Sequence, residues 1–186
     1  MTVTISFEKR TREFQARLAD EGIDVAVIHD PDNIFYLSAY WGYLSMQFGR
    51  PTLLVVPRSG ECTIITPSLE AEMGRKMTWV EDVMEWSDGV DGEWVTCLQR
   101  LLDGTPNLKV GLEEHRMHPL IQRCLRNDFP GVALCDVDDL LADMRMVKTP
   151  EEIALMRQAG EVVTAMCRGG IDRIAEGVPE YEIALG

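Results

Sequence analysis

The chain reads as an α/β domain, a mixed sheet with flanking helices, followed by the first helix or two of a second domain. Three observations carry that reading. Short apolar runs rich in β-branched residues alternate with segments of helical periodicity. Two neighbouring runs, Pro51 to Val56 and Cys62 to Thr66, are joined by Pro57-Arg58-Ser59-Gly60-Glu61, turn chemistry that sets one antiparallel hairpin inside the alternation. A separate helix start signal follows residue 147.

Taken in order, Ser6 to Glu21 is predicted helical, with Phe7, Phe14 and Leu18 on one face and Gly22 as its stop. Ile23 to Ile28 is β-branched and reads as a strand. Asp30-Pro31-Asp32-Asn33 supplies a cap and first turn for a short helix through Leu37. The hairpin comes next. Pro67 to Met77 suits a helix and Val80 to Trp86 a strand; Glu93 to Leu102 suits a helix and Lys109 to Leu112 a strand. Pro119 to Asn127 places Leu120, Ile121, Cys124 and Leu125 on one helical face, and Gly131 to Cys135 is the last strand. Asp136 to Val147 carries the stripe Val137, Leu140, Leu141, Met144. Thr149-Pro150-Glu151-Glu152 then forms a capping box for a helix of roughly Pro150 to Ala175. A further helix begins at Pro179, which leads to the expectation of a chain cut inside its second domain. The expected boundaries are 1–147 and 148–186.

The 186 residues carry 46% hydrophobic and 26% charged side chains, ordinary for a globular chain, and no apolar run reaches the ~20 residues of a membrane helix. Residues 1–17 are polar and charged, unlike a secretory signal. The net charge of −13, with no local basic patch, argues against nucleic-acid and membrane partners. Five cysteines, Cys62, Cys97, Cys124, Cys135 and Cys167, at long spacings with no C-x-x-C, fit reduced thiols and a cytoplasmic setting. Nucleophile-elbow, Walker and dinucleotide motifs are absent. The six acids from Glu81 to Glu93 read as a solvated face. His115 and His118, behind Glu113-Glu114, read as a surface turn rather than a metal site, and His29 as a capping or hydrogen-bonding residue at a strand end.

The stretch Tyr36 to Pro51 is the most unusual. Tyr36, Tyr40, Trp41, Tyr43 and Phe48 are five aromatics within thirteen residues, and Arg50 is the charge that ends the run. Aromatic walls and one guanidinium suit a small carboxylate-bearing ligand, which arginine grips bidentately. The same pattern also suits an aromatic loop packed on the core or on a partner chain, with Arg50 in a structural ion pair.

Three stretches resemble the N-terminal domain of the creatinase/prolidase family, the "pita-bread" metallohydrolases. Ile23 to Tyr40 is similar to the family's strand and N-x-x-Y-L-(S/T)-G-(Y/F) helix, with Ala39 in place of the usual glycine. Asp139 to Gly160 is similar to its R-x-x-K-(S/T)-x-x-E linker, and Glu176 to Ala184 to the segment that opens its second helix. The resemblance implies a ribonuclease-H-like fold for this domain and a homodimer in which a loop reaches the partner's active site. It places the catalytic groups, including two divalent metals (manganese or cobalt) in members of peptidase type, in a half this chain lacks, with no cofactor here. Phe48-Gly49-Arg50 resembles the creatinase Phe-Gly-Arg that binds the substrate carboxylate. The expected substrate site is therefore Arg50 and Phe48, walled by Tyr40 and Trp41, for a creatine-like molecule or an Xaa-Pro dipeptide. The expected role is substrate shaping and dimerisation in a C–N hydrolase, with the piece inert by itself; a non-catalytic binding or chaperone module of the same fold is the alternative.

Overall fold

The computed structural model describes residues 5–44, 49–87 and 93–185. It divides into two compact units, one formed by Ser6–Met146 and the other beginning at Val147.

The first unit is a six-stranded mixed sheet in the order β4-β3-β2-β1-β5-β6. The strands are β1 (Val25–Ile28), β2 (Leu53–Pro57), β3 (Thr63–Pro67), β4 (Asp82–Trp86), β5 (Lys109–Leu112) and β6 (Ala133–Asp136). β1 pairs antiparallel with β2 and parallel with β5; β2 and β3 form the hairpin; β3–β4 and β5–β6 are parallel. All four residues of β1 are buried, as a central strand covered on both faces requires.

Strand alternation builds two cores. Val25, Val27, Leu53, Val55 and Val110 face one layer, filled by α4 (Glu93–Leu102) and α5 (Pro119–Asp128) through Trp94, Leu98, Ile121 and Leu125. Ala26, Ile28, Leu54, Val56 and Ile64 face the other. There α1 (Phe7–Asp20), α2 (Pro31–Ser38) and α6 (Asp138–Met146) contribute Phe14, Leu18, Leu37 and Leu141. α3 (Ser68–Met77) follows β3 without an intervening loop. Long-range side-chain bonds fasten this layer. Thr11 Oγ1 donates to the Leu37 carbonyl at 2.8 Å, and Gln15 Nε2 to the Pro57 carbonyl at 2.8 Å.

The sequence places α6 two residues too early. Asp136 still belongs to β6, and the Val137 N–H bonds the Leu112 carbonyl at 2.9 Å, so the chain stays on the sheet through both residues. The expected hairpin, the βα alternation and the mixed sheet are all present.

The second unit holds α7 (Pro150–Arg173) and α8 (Glu180–Ala184). The capping box is complete: Thr149 Oγ1 accepts the Glu152 N–H at 3.2 Å, and the Glu152 carboxylate accepts the Thr149 N–H at 2.7 Å. No residue of α7 is buried, although Met156, Val163 and Met166 lie along it. Among the described residues, no helix is long and apolar enough to cross a membrane.

Candidate functional site

The aromatic segment begins on α2. Asp30 caps that helix, accepting the Asn33 N–H at 3.0 Å, and Pro31 fills its first position. The helix ends at Ala39, whose φ of 63° is left-handed. An L-residue there costs about 1–2 kcal/mol, which is the physical reason for a glycine at this place in the pattern.

Tyr40 turns inward and is fully buried. Its ring lies against α3 at Gly74, where an added Cβ would come within 2.1 Å of Tyr40 Cε2. Its hydroxyl meets Thr66 Oγ1 at 2.6 Å, and Thr66 Oγ1 lies 3.1 Å from Thr52 Oγ1. Burial pushes the phenol pKa up to about 12, so Tyr40 stays protonated at neutral pH. Tyr40 borders a cavity of about 10 Å³ with His29, Pro31, Ile34, Gly42 and Thr52. That space is at the lower limit for one water molecule. Tyr40, expected from the sequence to wall the substrate site with Trp41, is thus placed in the core at the base of the segment.

Trp41 is 48% exposed and meets Phe35 edge-on, with ring centroids 5.8 Å apart. Tyr43 is 78% exposed. The backbone N–H groups of Tyr43 and Leu44 both bond one carboxylate oxygen of Glu70, with the Leu44 bond at 2.7 Å. Phe48, with Ser45, Met46 and Gln47, lies outside the described residues. Arg50 is half-buried and directly precedes Pro51, whose carbonyl accepts the Trp86 indole N–H at 3.1 Å.

A second polar centre lies where β1 and β5 end. Their connections leave in opposite directions along the sheet, toward β2 and β6, so this is the crevice where open α/β sheets commonly bind ligands. A carboxylate of the chain itself lies buried at its base, beside a cavity of about 300 Å³ lined by Asn33, His115, Arg116, Asp138 and Arg145. Glu113, fully buried, accepts the His29 N–H at 2.6 Å, the Asp30 N–H at 2.9 Å and Asn33 Nδ2 at 2.5 Å. Burial pushes its pKa up, and the three donors oppose that shift. Arg145, near the end of α6, donates to Asn33 Oδ1, which fixes the amide orientation. Arg116 donates to Asp30 at 2.8 Å. The His29 ring, buried, has Nδ1 3.4 Å from the Thr52 carbonyl, and burial pushes its pKa down.

Nearby, ligand atoms of His115, Asp136 and Asp138 lie within 4.8 Å of one another. They are already bonded among themselves and to the start of α6. Asp138 accepts the His115 N–H at 2.9 Å and meets its Nδ1 at 2.7 Å, while Asp136 accepts the Asp138 N–H at 2.9 Å. His118 caps α5, accepting the Leu120 N–H on Nδ1 at 3.1 Å.

The sequence profile of the Creatinase/Prolidase N-terminal domain matches residues 10–147. The chain belongs to the creatinase/prolidase family. It is 27% identical over 187 residues to a creatinase of Bacillus sp. (strain B-0618), covering 98% of this chain and 44% of that protein. It is 28% identical over 174 residues to an Xaa-Pro dipeptidase of Lactobacillus helveticus, covering 92% of this chain and 46% of the relative. The chain thus spans about half the length of the curated relatives it matches. The crystal structure of recombinant prolidase from Thermococcus sibiricus superposes with a TM-score of 0.80 at 21% identity, over 98% of this chain and 48% of that one. The likeness establishes the creatinase/prolidase N-terminal fold for the mixed sheet.

Within that family frame, Tyr40, Trp41 and Arg50 share one segment between α2 and β2. Glu113 and Glu70 are the carboxylates that sequence reasoning missed. Glu113 had a faint signal, an acid directly after a strand. Glu70 had none, because an acid in the first turn of a helix is ordinary.

Proposed function

We propose that the chain is the substrate-shaping N-terminal part of a C–N-bond hydrolase of creatinase or Xaa-Pro-peptidase type. Arg50 grips the substrate carboxylate, Phe48 and Trp41 flank it, and Tyr40 fixes the base of the segment. The observation that carries this reading is the placement of Arg50. It leaves an aromatic segment anchored on both sides, at Tyr40 with Thr66 and at Pro51 with Trp86. The backbone is held next to Arg50, and a guanidinium matches a planar carboxylate in shape and charge. The relatives named creatinase and Xaa-Pro dipeptidase supply the substrate class: both kinds of substrate carry a free carboxylate and a scissile C–N bond.

In this reading residues 148–186 open the catalytic domain, and the exposed apolar side chains of α7 support that assignment. The catalytic groups, and in a peptidase-type parent two divalent metals, belong to the remainder of the parent protein. The parent is a cytoplasmic homodimer, and these 186 residues are inert by themselves.

The test is hydrolysis by the full-length protein of creatine and of Xaa-Pro dipeptides, with and without Mn²⁺ or Co²⁺. Metal-independent cleavage of creatine assigns the creatinase type. Metal-dependent dipeptide cleavage assigns the peptidase type. Turnover of neither, or hydrolysis by the 186 residues alone, contradicts the proposal.

A further inference from the structure

The cavity of about 300 Å³ at the ends of β1 and β5 has both signs of charge on its wall, Arg116 and Arg145 with Asp138 and Asp139. Part of that pattern comes from α6. Asp138, Ala142 and Arg145 stand at i, i+4 and i+7, on one face of the helix. The acid and the cation are about 10 Å apart along the helix axis. The residue between them, Ala142, is exposed and has only a methyl group to fill the space.

One group orders both guanidiniums from beneath. Glu113 has no exposed surface. Its Oε1 accepts Asn33 Nδ2 at 2.5 Å, and Asn33 Oδ1 accepts Arg145. Its Oε2 accepts the Asp30 N–H at 2.9 Å, and Asp30 Oδ2 accepts Arg116 Nη1 at 2.8 Å. Two chains of hydrogen bonds therefore run from a single buried carboxylate to two cations on one cavity. A carboxylate is costly to bury unless its oxygens are used, and both oxygens of Glu113 are used to fix the groups that hold these cations. The bond to Asp30 occupies one terminal nitrogen of Arg116, whose guanidinium has five N–H donors in a fixed fork, and the side chain is 53% exposed.

The charges also select the ligand. The two guanidiniums and the two carboxylates cancel, and the imidazole on the wall, His115, is tied to Asp138 at 2.7 Å. The chain as a whole carries −13, which disfavours a simple anion. A molecule with a carboxylate for the guanidiniums and an ammonium for the acids matches such a wall. We propose that this cavity binds a small zwitterion, a free α-amino acid, with its carboxylate on Arg116 and Arg145 and its ammonium at Asp138 and Asp139. Its place agrees with this, because open α/β sheets bind ligands in the crevice where the strand order reverses. None of these residues belongs to the Tyr36–Pro51 segment, so the site is independent of the role proposed for Arg50.

The experiment uses the isotope-labelled 186-residue chain, whose Ser6–Met146 unit contains both cores. Glycine, leucine and proline are titrated in turn and followed by backbone amide NMR shifts. At least one should give saturable shifts at His115, Arg116 and Ala142, with a Kd on the order of 1 mM. For the tightest of the three, the amide and the N-acetyl derivative each lack one charge and should bind about tenfold or more weakly. Arg116→Ala should weaken binding by a similar factor. Ala142→Leu, at an exposed helical position, should block the cavity and abolish binding while the rest of the spectrum is retained. Arg50→Ala should leave the titration unchanged. The inference is overturned if none of the three amino acids shifts these amides at about 10 mM, or if either derivative binds as well as its parent. It is equally overturned by binding that survives Ala142→Leu, or that disappears in Arg50→Ala.

Discussion

Gly74→Ala is the substitution at which helix propensity and tertiary packing predict opposite signs. Gly74 lies inside α3, where alanine is intrinsically better by about 1 kcal/mol. The structure places the new Cβ 2.1 Å from Tyr40 Cε2, 2.9 Å from Cδ2 and 3.2 Å from Cζ. Carbon atoms do not approach so closely, and the ring is enclosed on all sides, so it must move. Overpacking costs about 1–3 kcal/mol. Moving the ring also strains the 2.6 Å bond to Thr66, worth about 1 kcal/mol. After the propensity gain is subtracted, the net loss is about 1–3 kcal/mol. Urea unfolding followed by circular dichroism reads this as a lower midpoint at unchanged slope. With Tyr40→Ala in the background the ring is gone, and Gly74→Ala should then stabilise by about 1 kcal/mol. A stabilising Gly74→Ala in the presence of Tyr40 would refute the packing argument and, with it, the rigid base assigned to the aromatic segment.

Ala39→Gly relieves a left-handed alanine at about 1–2 kcal/mol and costs about 0.4–1 kcal/mol in chain entropy, so a gain near 0.5–1 kcal/mol is expected in the same unfolding assay. Glu113 holds its proton more tightly in the folded than in the unfolded chain, so its contribution to stability falls as pH rises from its ordinary value of 4.5 through the raised folded value. Glu113→Gln should flatten that fall in a pH series, and at neutral pH it should lose about 1–3 kcal/mol. Its amide would face Asn33 Nδ2, which cannot turn away because Asn33 Oδ1 is held by Arg145. Of the five cysteines Cys167 is exposed, whereas burial pushes the Cys62 and Cys124 thiols up to about 12 and also raises Cys97 and Cys135. A thiol reagent should therefore modify Cys167 rapidly, half-buried Cys135 more slowly, and Cys62, Cys97 and Cys124 only on unfolding; fast modification of any of those three would contradict their burial.

Local signals made the elements legible. β-Branched runs, the Asp30-Pro31 and Thr149-Pro150 starts and the hairpin turn fixed α2, α7, β1, β2 and β3 to within a residue or two, because each depends on neighbours a few positions away. The start of α6 was misplaced because its limit is set by Leu112, a strand partner far off in sequence. The composition of the aromatic segment marked it as unusual, but not which ring points inward. Tyr40 and Trp41 are adjacent and chemically similar. What separates them is Gly74 and Thr66, on elements that no pattern within the segment reveals. The buried carboxylates were illegible for the same reason: Glu113 lies 80 residues from Asn33, and Glu70 lies 26 from Leu44.

The central claim is that Arg50 binds a substrate carboxylate, and one comparison tests it most directly. The KM of the full-length protein is measured for a substrate with a free carboxylate and for the analogue in which that group is an amide, in the native sequence and in Arg50→Ala. A charge-assisted bond of about 1.5–3 kcal/mol predicts that the native protein prefers the carboxylate by about ten- to a hundredfold. Arg50→Ala should erase that preference while leaving the KM of the amide nearly unchanged. A preference that survives the loss of Arg50 would place carboxylate recognition elsewhere and contradict the account.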